Sequence, residues 1–344
     1  MNAERERPRA QDYPNVDGWP MRRRQFVSLL GSAAATWPLI GHAQQRSALP
    51  KLGMLLVFSR EAGKTFTEPV RAYLRALGYV EDRNIAFDFR YADGRVERLP
   101  ALANELVAGR ATVIVTFGDA AGLAAQKATS SVPIVAMSED LVRAGLVANM
   151  SRPERNITGV SVMGTELDAK RLDILAEVLP PRGTVLLLSD PTTHRESRPA
   201  LYATAATRGL TLREAVVRTP DDIERALRDA KQSGISGVNV LSSALLFALR
   251  GRIVSLATEL RLPAIYQWPE TADEGGLIAY GPRLRGAFRQ VTTLAVKILH
   301  GARPGDLPVE QPTRFILVVN LKAAGKLGLT LPLPILVQAD TAIE

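Results

Sequence analysis

The chain offers little for acid–base or covalent chemistry. It has no cysteine, and its three histidines, His42, His194 and His300, are too far apart for metal-ligand spacing. Thiolate metal sites, cysteine nucleophiles and disulfides are thereby excluded. No G-x-S-x-G elbow, phosphate-binding P-loop or H-E-x-x-H motif occurs, and no G-x-G-x-x-G follows the first strand-like run. The reading is therefore no catalytic set, no metal and no cofactor. Small polar and aromatic residues remain: Ser59, Asp119, Ser138, Ser242, Ser243, Tyr266 and Trp268. Their chemistry is recognition. An aspartate such as Asp119 pairs with an ammonium group. Backbone N–H groups at the helix starts Asp119–Gly122 and Ser243–Leu245 suit a carboxylate, and Tyr266 and Trp268 suit an apolar or cyclic group. Each has a plainer reading. Asp119 and Ser243 are good helix N-caps, Ser59 is a turn residue, and Trp268 is a core aromatic.

The elements around these residues explain the selection. Each of the seven follows or ends an apolar run with strand character. Lys51–Phe58, Ile85–Tyr91, Thr112–Phe117 and Val132–Met137 form one series of runs, with helical periodicity over Phe66–Leu77, Arg98–Ala108 and Ala120–Ala128 between them. A second series runs over Thr184–Ser189, Thr211–Val217, Gly237–Leu241 and Pro263–Tyr266. Its helices are Leu167–Leu179, Glu196–Arg208, Asp221–Gln232 and Leu245–Leu260. Strands alternating with helices of ten or more residues imply parallel sheets with helices on both faces. Two series of about four strands predict an α/β chain of two Rossmann-like lobes, with a multi-strand hinge between them. Asn156–Ser161 and Gly276–Pro282 are extended, Gly- or Pro-flanked and suited to crossing between lobes. Arg285–Leu299 reads as a further helix, Phe315–Asn320 as a late strand and Lys322–Leu327 as a short helix. The expected division is residues 51–160 with about 283–308 in lobe 1, and 161–282 with about 309–344 in lobe 2. Ligands of open parallel sheets sit beyond the carboxyl ends of strands, which is where the seven residues fall.

The first 43 residues follow other rules. Arg22-Arg23-Arg24 precedes an uncharged stretch from Phe26 to Ile40, which closes on Gly41-His42-Ala43. This is the layout of a secretory signal of twin-arginine type cleaved after Ala43, and it predicts export to the periplasm. Pro38 and the short length argue against a permanent span. Residues Met1–Pro20 are patternless, so Met21 is a candidate start. The net charge of +8 is spread without a Lys/Arg run, so no nucleic-acid partner is expected.

Several segments carry a resemblance. Leu77-Gly78-Tyr79-Val80-Glu81, Arg98-Leu99-Pro100-Ala101-Leu102-Ala103 and Asn156-Ile157-Thr158-Gly159-Val160-Ser161 are among them. Leu262-Pro263-Ala264-Ile265-Tyr266 and Tyr280-Gly281-Pro282 are others. In order and spacing they resemble the ABC-transporter substrate-binding family related to tryptophan/tyrosine uptake receptors, over roughly Lys51 to Glu344. The resemblance implies a periplasmic-binding-protein type I-like fold with three interlobe strands. It also implies a monomeric carrier of a small organic solute, often amino-acid-like or a small carboxylate. Its partners would be a separate ABC permease and that permease's cytoplasmic ATPase. This chain departs from the family at Phe58-Ser59-Arg60, Ser138-Glu139-Asp140-Leu141 and Pro269, so its solute need not be an aromatic amino acid. A repressor of the same fold would need an N-terminal helix-turn-helix where the export signal stands. A receptor input domain would need a transmembrane helix, and an α/β enzyme would need a convergent acid–base set.

Overall fold

The computed structural model describes residues 49–344, apart from 192 and 194–197. The export-signal expectation, with His42, lies outside the described residues, and so does His194.

Two sheets organise the chain. The first is all-parallel, in the order β2-β1-β3-β4-β5: β1 is Lys51–Leu56, β2 Ala86–Tyr91, β3 Val113–Phe117, β4 Ile134–Ser138 and β5 Ile157–Ser161. Of its inner strands β3 and β4 are buried end to end and β1 in all but Lys51, because helices cover both faces, which is why they read as apolar runs. On one face lie α1 (Arg60–Ala76) and α10 (Leu284–Leu299); on the other lie α2 (Leu99–Ala108) and α3 (Asp119–Ala128). Phe66, Val70 and Leu74 recur every fourth residue along α1, placing one apolar stripe on the sheet.

The second sheet has seven strands in the order β12-β11-β10-β9-β8-β6-β7. These are β6 (Thr184–Ser189), β7 (Thr211–Val216), β8 (Gly237–Val240), β9 (Ala264–Tyr266), β10 (Ile278–Gly281), β11 (Ile316–Asn320) and β12 (Thr341–Ile343). Helices α4 (Gly164–Ala176), α5 (Arg198–Arg208), α6 (Pro220–Gln232), α7 (Ala244–Ala248), α8 (Arg250–Glu259), α9 (Pro269–Asp273), α11 (Leu321–Leu327) and α12 (Leu333–Gln338) accompany it. Among the described residues only the β10–β11 pair is antiparallel, because the chain enters β11 from the side of the first sheet.

The chain passes between sheets three times. After β5 it enters α4, whose Leu172 and Leu175 pack on the second sheet. After β10 it enters α10, whose Val291, Leu294 and Ile298 pack on the first. Glu310, still bridged to Val160, leads back to β11. The α/β two-lobed architecture with a multi-strand hinge is as expected. Ile157–Ser161 and Ile278–Gly281 are extended, but each is a paired strand of its own sheet, and the crossing comes just beyond it. The sheets have five and seven strands where about four each were expected. The expected helix Leu245–Leu260 is two helices meeting at Leu249.

Candidate functional site

The carboxyl ends of β3 and β4 face those of β6, β8 and β9 across the interlobe gap. Gly118 ends β3 with φ +87°, the left-handed region that favours glycine, and turns the chain into α3. A Cβ there would lie 2.7 Å from the Ala244 Cβ, so this glycine lets α7 of lobe 2 approach lobe 1. Asp119 opens α3, and its carboxylate accepts hydrogen bonds from the Ser138 hydroxyl and, at 3.3 Å, from the Glu139 N–H. The ends of β3 and β4 are thereby tied together.

Lobe 2 holds its polar groups more tightly. Ser243 caps α7 by accepting from Leu246 N–H at 3.2 Å, and its hydroxyl donates to Asp190 at 2.5 Å. Its own N–H donates to Gln267 Oε1 at 2.9 Å. Ser242 accepts from the Arg171 guanidinium at 2.7 Å. Arg171 and Asp168 are wholly buried and paired at 2.7 Å, one turn apart on α4. The same guanidinium donates to the carbonyls of Gly164 and, at 3.0 Å, Tyr280, one beside each of the first two crossings. Burial pushes the Asp168 carboxyl above its ordinary range, against the opposing pull of Arg171.

Between the lobes lie two small cavities. One is lined by Phe66 and Phe117 of lobe 1 and Phe247 and Trp268 of lobe 2, with Ser138 and Gln267 at its edge. The Phe66 and Phe247 rings stand edge to face at 5.6 Å, and Phe247 and Trp268 at 6.0 Å. The other is lined by Asp119, Glu139, Asp190, Ser242 and Ser243. Each holds about 20 Å³, the room of a single water. The lobes also meet where Arg250 donates to the Thr65 hydroxyl at 3.5 Å.

Five of the seven residues selected from the sequence line these cavities: Ser138 and Trp268 the apolar one, Asp119, Ser242 and Ser243 the polar one. Ser59 and Tyr266 line neither. Ser59 is exposed and caps α1, accepting from Ala62 N–H at 3.4 Å. Tyr266 lies in the core of lobe 2, where burial raises its phenol pKa. Sequence reasoning missed Phe66, Phe117, Phe247 and Gln267, whose apolar or strand-end positions fit ordinary core packing equally well. It also missed the Asp168–Arg171 pair. Among the described residues no cluster of His, Asp or Glu is arranged to hold a metal, and no helix is long and apolar enough to cross a membrane.

A curated relative, the tyrosine-binding protein of Clostridioides difficile (strain R20291), is 23% identical over 260 residues, 73% of each chain. A crystal structure of an ABC domain in complex with L-Trp from Streptococcus pneumonia is 22% identical and superposes with a TM-score of 0.76, covering 86% of this chain and 100% of that one. The ligand-free, open structure of a substrate binding protein with adhesive properties from Clostridium difficile is also 22% identical, covering 86% of this chain and 99% of that one, but its TM-score is 0.56. Residues 51–343 match the family described as ABC transporter substrate binding protein. With the match spanning nearly all the described residues, the chain belongs to the ABC transporter substrate-binding protein family.

Proposed function

We propose that this protein is the exported receptor of an ABC importer, holding a small organic solute at the ends of β3, β4, β8 and β9. The carrying observation is the pair of interlobe cavities, each walled by side chains from both lobes. A solute touching both walls favours the arrangement with the lobes together, and that differential contact is what closes such a receptor. With about 20 Å³ in each cavity, a solute larger than water enters only when Phe247 and Trp268 withdraw from Phe66 and Phe117. Admission is therefore a movement of lobes. The better superposition on the L-Trp complex than on the open, ligand-free structure supports reading this arrangement as a closed one in which the rings take room that a bound solute would occupy.

In this reading the Trp268 and Phe247 rings take the apolar part of the solute. Asp119, Ser138, Ser242 and Ser243 take its polar groups, and amino-acid-like solutes and small carboxylates are the classes to test. The leader is removed after Ala43, the mature chain works in the periplasm as a monomer, and the closed form docks on an inner-membrane permease with its cytoplasmic ATPase. The protein carries its solute unchanged. Thermal-shift screening against amino acids, aromatic acids and other small carboxylates tests the reading. One of these raises the melting temperature, and Trp268→Ala weakens its binding at least about tenfold, the loss of one well-packed aromatic contact. Turnover of a solute by the purified protein, or unchanged affinity in Trp268→Ala, would overturn it.

A further inference from the structure

A larger hollow lies at the hinge and shares no lining residue with the interlobe cavities. It has a volume of about 470 Å³ and is walled by the first turns of α10 from lobe 1 and by Ile316, Asp340 and Thr341 from lobe 2. The second and third crossings, at Pro282-Arg283 and Pro312–Arg314, complete it. Three arginines line this space, Arg283, Arg289 and Arg314, against one acidic residue, Asp340. Arg283 is held by Asp273 of α9. Arg314 stands 3.6 Å from Asp340, whose Oδ2 also accepts from the Leu317 N–H at 2.8 Å. Arg289 has no carboxylate partner among the described residues. Gly286 forms part of the wall, and a Cβ added to it would meet nothing within 4 Å, because that side of α10 faces the open pocket.

We infer that this hinge pocket binds a small organic polyanion, a di- or tricarboxylate. Planar guanidiniums match carboxylates bidentately. Charge-assisted hydrogen bonds from two or three of them are strong enough to hold an anion in a partly open site. The volume lies in the range of small-molecule pockets and is several times what a single inorganic oxyanion fills. Arg289 from lobe 1 and Arg314 from the third crossing would hold the anion from opposite walls.

Calorimetric titration of the full-length protein with citrate and, separately, with inorganic phosphate tests the assignment. Citrate is expected to bind one to one. Arg289→Ala should weaken it at least about tenfold, the scale of one lost charge-assisted hydrogen bond. Gly286→Leu puts a bulky side chain into the pocket wall without changing a charge and should weaken binding, with a leucine favourable in a helix. Arg75→Ala, the same loss of charge at an exposed residue outside the pocket lining, should leave the affinity unchanged. Several results would overturn the inference: no citrate binding, phosphate binding as tightly as citrate, Arg75→Ala weakening citrate as much as Arg289→Ala, or Gly286→Leu leaving the affinity unchanged. The titration needs no cleft solute, so its failure is separate from failure of the solute-receptor reading.

Discussion

The two faces of the cleft are built differently. Lobe 1 presents rings, Phe66 and Phe117, and one tied pair of polar side chains, Asp119 and Ser138. Lobe 2 also presents two rings, Phe247 and Trp268, but beside them it has polar groups more extensively committed to partners: Ser242 to Arg171, Ser243 to Asp190 and Gln267, all buried. A face of hydrogen-bonded groups keeps its geometry when the opposite face leaves. The rings of both faces lose their apolar contacts on opening and regain them on closing. In the proposed reading the fixed polar groups of lobe 2 orient the solute, and the ring contacts across the gap add to the closure that the solute favours.

The largest test of that contrast is Arg171→Met. It removes the partner of buried Asp168 and the donor to Ser242, Gly164 and Tyr280. Breaking a buried ion pair costs about 3–5 kcal/mol. Urea unfolding should show a loss of that size, whereas a loss below about 1 kcal/mol, as for exposed pairs, would deny lobe 2 its rigid polar frame. Ser243→Ala comes next. It removes the cap of α7 and the donor to Asp190, and a lost cap costs about 1 kcal/mol. Stability should fall by that amount, and solute affinity should fall with it. Affinity unchanged at reduced stability would confine Ser243 to capping.

The smallest effect tests the join between faces. Glu270 of α9 accepts the Leu284 N–H of α10 at 3.0 Å, reaching from lobe 2 to lobe 1, while its Oε2 is buried without a hydrogen-bond partner. Burial pushes this carboxyl above its ordinary range. The native state therefore binds this proton more tightly than the unfolded chain does. Stability from this group is greatest below the ordinary glutamate range and declines as pH rises through the raised value. Glu270→Gln should be more stable than the parent at neutral pH, with the gain shrinking as the medium is acidified into the carboxylate range. Thermal melts of both proteins across that range would show it, and a gain that grows on acidification would contradict it.

The strands were the most legible part of the fold, because a parallel sheet buried on both faces leaves a continuous apolar run such as Thr184–Ser189. Less legible were elements without a long period: α9 and α12 are short and flanked by proline, and β12 has three residues at a sheet edge. The break at Leu249 hides in an apolar stretch that continues on both sides of it. In the candidate site, position after a strand picked out Asp119, Ser138, Ser242, Ser243 and Trp268 as residues that line the gap, since topology alone carries strand ends there. It also selected Ser59, which the start of α1 uses as a cap, and Tyr266, which β9 turns into its own core. Asp168 and Arg171, three apart on a helix, look in sequence like an exposed ion pair. Only the third dimension, which supplies two carbonyls and Ser242, buries them.

Trp268 gives the most direct measurement. It is the one tryptophan beyond position 37, and it stands in the wall of the apolar cavity. Its emission should change saturably when a solute that raises the melting temperature is titrated in, with the midpoint matching the calorimetric Kd, and the change should vanish in Trp268→Phe. Calorimetric binding of that solute with the emission of Trp268 unmoved would place the solute outside the gap between the lobes and contradict the account.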